Sequence, residues 1–135
     1  MTSPATGTFE IRSWDEQPYA EIDGGRKLTR ASVTQAFSGD IVGDGAVEWL
    51  MCYRTDGSAD FVGLQRVVGR IGERSGSFVL QGSGTYDGTE ARETWRVVPG
   101  SGAGELTGLR GQGEHAALHG STSRYSLDYE FETSG

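Results

Sequence analysis

Residues 61–86, FVGLQRVVGRIGERSGSFVLQGSGTY, repeat their apolar positions with a period of about two rather than about 3.6 residues. In the second half Phe78, Leu80, Gly82, Gly84 and Tyr86 share one side, while Ser77, Val79, Gln81, Ser83 and Thr85 share the other. Two strand-length runs joined between Gly72 and Gly76 meet that pattern as a half-buried β-hairpin, and a helix does not. Whatever this chain folds into must be built around that hairpin.

Turn signals extend the pattern to both ends. Asp-Gly occurs at 23, 44, 56 and 87, Ser-Gly at 75 and Pro-Gly at 99. Such pairs tolerate the positive φ of tight hairpins. The runs between them predict eight strands over 7–13, 28–38, 46–54, 59–71, 77–86, 91–98, 112–117 and 123–132, an antiparallel meander. Residues 14–21 are expected to be irregular or helical, and 105–109 to make one helical turn. Each strand has an apolar face: Phe9 and Ile11 on the first, Trp49, Met51 and Tyr53 on the third, Tyr125, Leu127, Tyr129 and Phe131 on the last. Eight antiparallel strands without covering helices leave two edges, and closure removes them. The expectation is a single all-β domain, 1–135, forming an eight-stranded antiparallel barrel of the lipocalin-like kind with one or two short helical turns. Its interior would be filled by side chains or hold one small ligand.

A chain of 135 residues fits one domain, and three Trp, five Tyr and five Phe supply a core despite 22 glycines. A net charge of −7 argues against nucleic acid as a partner, because phosphate binding needs a basic face. No apolar run is long enough for a membrane-spanning helix, and the opening MTSPATGTFEIRSW lacks a signal peptide's apolar centre, so no membrane insertion is expected. The single cysteine, Cys52, allows no internal disulfide and points to the cytoplasm. Cys52 lies in an apolar run and reads as a small hydrophobe. Apolar residues on both faces of the middle strands (Leu50, Val62, Leu64 and Val68 alternate with the inward set) suit either a homo-oligomer or a monomer.

Metal and nucleotide chemistry find little support. His115 and His119 are four apart, which on a strand is about 13 Å, too far for one ion. Gly111-x-Gly113-x-x-Ala116 lacks the strand–helix context of a dinucleotide site. No metal and no cofactor are expected. The informative residues are polar ones in phase with the apolar face. Gln35 sits between Val33 and Phe37, Gln65 two residues from Val67, and Glu93 two from Trp95. His115 and Tyr125 can point inward from the last two strands. Apolar walls with a few convergent polar groups make a small-molecule site. On this reading Trp49, Phe61, Phe78, Trp95 and Tyr125 are walls, Gln35 and Gln65 orient polar atoms, and Glu93 and His115 are the catalytic candidates that move protons. Equally, these groups satisfy one another and buried water, or face solvent after a register slip.

The runs FVGLQRVVGRIGERSGSFVLQGSGTYDG (61–88) and VVPGSGAGELTGLRGQG (97–113), with the opening GTFEIRSWDEQPY and the closing YSLDYEFE, resemble a bacterial family of unknown function with an allene-oxide-cyclase-like barrel. The resemblance covers almost the whole chain. It implies a calycin-like eight-stranded barrel with a lumen. The plant cyclases are oligomeric, bind a lipid epoxide and guide its ring closure by shape and electrostatics. None of their catalytic residues carries over, since no motif here matches theirs position by position, and Gly82 stands where the bacterial pattern often has histidine. Two functions therefore stay open. One is a barrel binding a small apolar or amphipathic molecule, with cofactor-independent isomerase or cyclase chemistry in the lumen. The other is a non-catalytic carrier or oligomeric scaffold whose lumen is packed shut.

Overall fold

The computed structural model describes residues 2–118 and 122–132. Its elements are β1 (Ser3–Glu21), β2 (Lys27–Gly39), β3 (Ile41–Tyr53), β4 (Ala59–Ile71), β5 (Arg74–Tyr86), β6 (Glu90–Val97), β7 (Ala103–Gly104), β8 (Leu109–Leu118) and β9 (Ser123–Phe131). Around the sheet the order is β4-β3-β2-β1-β9-β8-β6-β5, every pair is antiparallel, and β4 pairs back onto β5. The sheet is therefore a closed barrel of eight long strands. The short β7 lies outside the ring, paired to β5 at Gly76 and Ser77.

The 61–86 hairpin forms with Phe61 opposite Gly84 and Val67 opposite Phe78, so the apolar faces of both strands turn inward together. Of the expected turns, those at 23, 56, 87 and 99 stand, each with its glycine at positive φ. Those at 44 and 75 do not. The β2–β3 turn falls at Gly39 and the β4–β5 turn at Gly72, both with positive φ, while Gly45 and Gly76 lie inside strands. Both have a packing reason. A Cβ on Gly45 would meet Gln65 Oε1 and the Phe37 ring, and one on Gly76 would meet the Ala103 carbonyl of β7.

Two further expectations need correction. Residues 14–21 continue β1, paired to β2 as far as Glu21↔Lys27. Residues 105–108 form successive turns leading into β8 at Leu109, and among the described residues the one helical element is the 3₁₀ turn Asp23–Gly25. The turn segment places Leu106 and Leu109 in the core, where each contributes about 1.5–3 kcal/mol of burial.

The buried apolar residues fall into two clusters. The larger includes Phe9, Phe37, Phe78, Leu80, Trp95, Leu106 and Tyr125. The smaller comprises Ala31, Val33, Val47, Trp49, Met51, Ala59 and Phe61. Ile11 was expected to share the inward face with Phe9. It stands opposite the buried Gln35 but is 50 % exposed. The cause is the seam. β9 accompanies β1 only from Ser3 to Phe9, so beyond that point β1 has β2 on one side and no described strand on the other.

Candidate functional site

Alternation along β6 turns Glu93, Trp95 and Val97 inward. On the neighbouring strands His115 is the cross-strand partner of Glu93, and Gly113 that of Trp95. One row across the barrel reads Trp49, Gly63, Gly82, Trp95, Gly113 over β3, β4, β5, β6 and β8. The glycines leave space for large neighbours. A Cβ on Gly63 would strike the Trp49 ring, and one on Gly82 would strike the Glu93 carboxylate.

Glu93 is 3 % exposed and takes three N–H partners. Trp95 Nε1 donates to Oε1 at 2.6 Å, and Trp49 Nε1 donates to Oε2 at 3.1 Å. His115 Nε2 lies 2.6 Å from Oε1. The two tryptophans come from different apolar clusters, so this one carboxylate ties the halves of the core together. With both Glu93 oxygens already accepting from indole N–H groups, Nε2 is assigned the hydrogen from the hydrogen-bond network. Glu93 thus fixes the imidazole as a carboxylate fixes the histidine of a nucleophile–base pair. It has little capacity left to shuttle a proton itself. The His115 ring also packs against Phe9 and Trp95, both at 4.9 Å between centroids.

What remains is unusual for a packed interior. Gln35 Nε2 and Oε1, Gln65 Oε1 and His115 Nδ1 are buried and have no hydrogen-bond partner. Buried polar groups are nearly always paired, and each orphan costs about 1–3 kcal/mol. Gln35 is 1 % exposed and His115 6 %, so solvent does not explain the atoms away.

The other expected site residues divide. Phe61 packs on Trp49 at 5.5 Å, within reach of the Glu93 group. Phe78 belongs to the larger cluster with Leu80 and Leu106. Tyr125 lies near Phe37 and Trp95, but its hydroxyl is occupied: it accepts from the Ile41 amide at 2.9 Å and donates to the Ser38 carbonyl at 2.8 Å. His119 lies outside the described residues. Among the described residues no group of three His, Cys, Asp or Glu is placed to hold a metal ion.

Sequence reasoning missed a second polar cluster at the mouth. A shift of register between Ile11 and Ser13 brings Trp14 opposite Val33 and Glu16 opposite Ala31, both in the inward phase. Trp14 packs against Trp49 with centroids 5.6 Å apart and rings tilted by 50°, and donates its N–H to Glu16. Glu16 also accepts from Thr29 and Tyr53. Burial alone would raise the Glu16 carboxyl, but the hydrogen bonds from Thr29, Tyr53 and Trp14 and the charge of Lys27 outweigh it and hold the group below its ordinary value. Burial first, and then the bond to Glu16, pushes the Tyr53 phenol well up. Nothing in the sequence announces the register shift, and residues 14–21 read there as irregular or helical rather than as strand.

Among the hollows open to solvent, one of about 500 Å³ borders Glu93, His115 and Tyr125 together with Ser83, Arg92 and Arg124. One of similar volume sits beside Glu16, Lys27, Thr29 and Tyr53. Another, about 1190 Å³, runs over the outer face between Leu50, Val62 and Leu64 on one side and Arg96, Gln112 and Asp128 on the other, floored by Gly63, Gly82 and Gly113.

Fold and site together define a class: a closed antiparallel barrel whose ring-filled interior holds a carboxylate–imidazole–indole cluster. The chain belongs to the DUF3224 family of proteins of unknown function, whose pattern it matches over residues 5–129. It is similar to the crystal structure of a DUF3224 protein of unknown function from Shewanella oneidensis MR-1, with 33 % sequence identity and a TM-score of 0.86, over 99 % of this chain and 100 % of that one. No curated protein matches it. No helix among the described residues is long and apolar enough to cross a membrane.

Proposed function

We propose that this barrel binds a small apolar or amphipathic molecule in its lumen, at the level of Gln35, Gln65 and His115. The observation that carries this reading is the set of buried polar atoms on those residues without partners. A protein that gained nothing from them would be more stable with apolar side chains there. Ile11 at 50 % and Trp14 at 44 % exposure stand in the inward phase beside the unaccompanied half of β1, which gives a guest a way in. The reaction this geometry suits is a cofactor-independent isomerisation or cyclisation. His115 would be the base, Glu93 would position it, and Trp49, Phe61 and Trp95 would hold the reacting conformer. The allene-oxide-cyclase-like resemblance supports this as an analogy of fold alone.

A non-catalytic carrier or scaffold is the second reading. It is favoured by the rings of Phe9, Phe37, Trp95 and Tyr125, which lie within 5.2 to 6.3 Å of one another in the pairs that touch. We also assign the protein to the cytoplasm. The exposed stripe of Leu50, Val62, Leu64 and Val68 on β3 and β4 supports a homo-oligomer. Native mass spectrometry of protein purified from its own host tests both points at once. A small molecule retained at one per chain supports the ligand reading, and the subunit count reads assembly. Bare protein that also ignores a broad panel of small amphiphiles would leave the scaffold.

A further inference from the structure

The unpartnered atoms are unequal in kind. Gln35 Oε1, Gln65 Oε1 and, in the tautomer set by Glu93, His115 Nδ1 are acceptors; Gln35 Nε2 is the one donor. The described buried polar and charged residues are Thr29, Gln35, Gln65, Glu93, His115 and Ser123, with no Lys or Arg among them. The carboxylate of Glu93 therefore faces no buried cation other than what His115 can become.

Two of these residues, Gln65 and His115, border one pair of rings. Gln65 Oε1 lies over Gly45 beside Phe37, and Gly45 is the cross-strand partner of Gln35. His115 stands edge-on to Phe9, which packs against Phe37 with centroids 5.2 Å apart.

We infer that the ligand of this lumen presents a neutral, hydrogen-donating polar end, of the primary-amide type, and not a carboxylate. This rests on the lumen-binding reading above and names the chemistry that the site selects. An amide nitrogen supplies hydrogens to acceptors that lack them, and its carbonyl takes the single free donor, Gln35 Nε2. A carboxylate brings only acceptors to a place where acceptors are already in excess, beside a buried negative charge. An ammonium group fares no better. Both oxygens of Glu93 are engaged by Trp49, Trp95 and His115, so the cation would give up its water for neutral acceptors only.

Benzamide and benzoate test this directly, since they share a ring and a planar head and differ in charge and in donors. Each is titrated into the intact protein near neutral pH, followed by calorimetry and by the ¹⁵N resonance of His115 Nδ1. The expected result is saturable benzamide binding about tenfold or more tighter than benzoate, with a shift of the Nδ1 resonance. Gln35→Leu and Gln65→Leu should each erase most of that preference; if one variant does not fold, the other still decides. Benzoate binding as tightly as benzamide overturns the head-group inference and leaves a lumen that binds. A preference unchanged in the folded variants overturns it too. No saturable effect from either probe removes the lumen-binding reading along with it.

Discussion

Gln35→Leu should make the empty protein more stable. The side chain is 1 % exposed, and neither Nε2 nor Oε1 has a partner. Removing an unsatisfied buried amide recovers about 1–3 kcal/mol. Leucine is one heavy atom smaller, and the space left beside Phe37 and Gly45 returns roughly 1 kcal/mol of that gain. The net expectation is about 0–2 kcal/mol of stabilisation, centred near 1 kcal/mol. For a domain of this size that is a rise in Tm of up to roughly 8 °C. Urea unfolding followed by tryptophan fluorescence, with calorimetry alongside, measures it, and an unchanged m value shows that both states kept their compactness. A loss of more than about 1 kcal/mol with m unchanged would refute the reasoning. The carboxamide would then be bonded in the native state, and the lumen would have no unmet polar demand to offer a guest.

Three other substitutions or conditions probe the same construction. Glu93→Gln turns one acceptor into a donor facing Trp49, Trp95 or His115, and should cost about 3 kcal/mol in urea unfolding; a change under about 0.5 kcal/mol would show that the three N–H groups do not depend on the charge. Tyr125→Phe strands the Ile41 amide and the Ser38 carbonyl, for an expected loss of about 1–3 kcal/mol seen as a lower Tm, and no loss would mean that water replaces the hydroxyl freely. Glu16, held below its ordinary value of 4.5, contributes stability above that pH and loses it as the pH falls through its lower folded value. The acid limb of a stability–pH curve should therefore be shallower in Glu16→Gln than in the parent, and parallel curves would remove Glu16 from the account.

The period-two pattern was enough to read the barrel, because a residue's face in a strand depends only on its own sequence neighbours. Gln35, Gln65, Glu93 and His115 are buried for that reason, and the alternation places each of them inward. The partners of Glu93 were not legible in the same way. Trp95 is two residues off on the same strand, but Trp49 and His115 reach the carboxylate through pairings across β3 to β8 that no local pattern encodes. Glycine misled in two places for one physical reason. At Gly39 and Gly72 it supplies positive φ, whereas at Gly45 and Gly76 it supplies room, and Asp-Gly or Ser-Gly in a sequence does not distinguish the two uses. Trp14 was placed in an irregular or helical segment and Ile11 on the inward face, because nothing local announces the bulge and the half-length seam that decide their surroundings.

That seam has a kinetic consequence. A tube stitched along part of its length comes apart from the loose end first, while the stitched part holds the cylinder together. Amide hydrogens of residues 10–21 should therefore exchange with solvent well before those of residues 3–9, which lie between two neighbours. The fold would then be able to admit or release a guest at that flap without the rest of the wall ever opening.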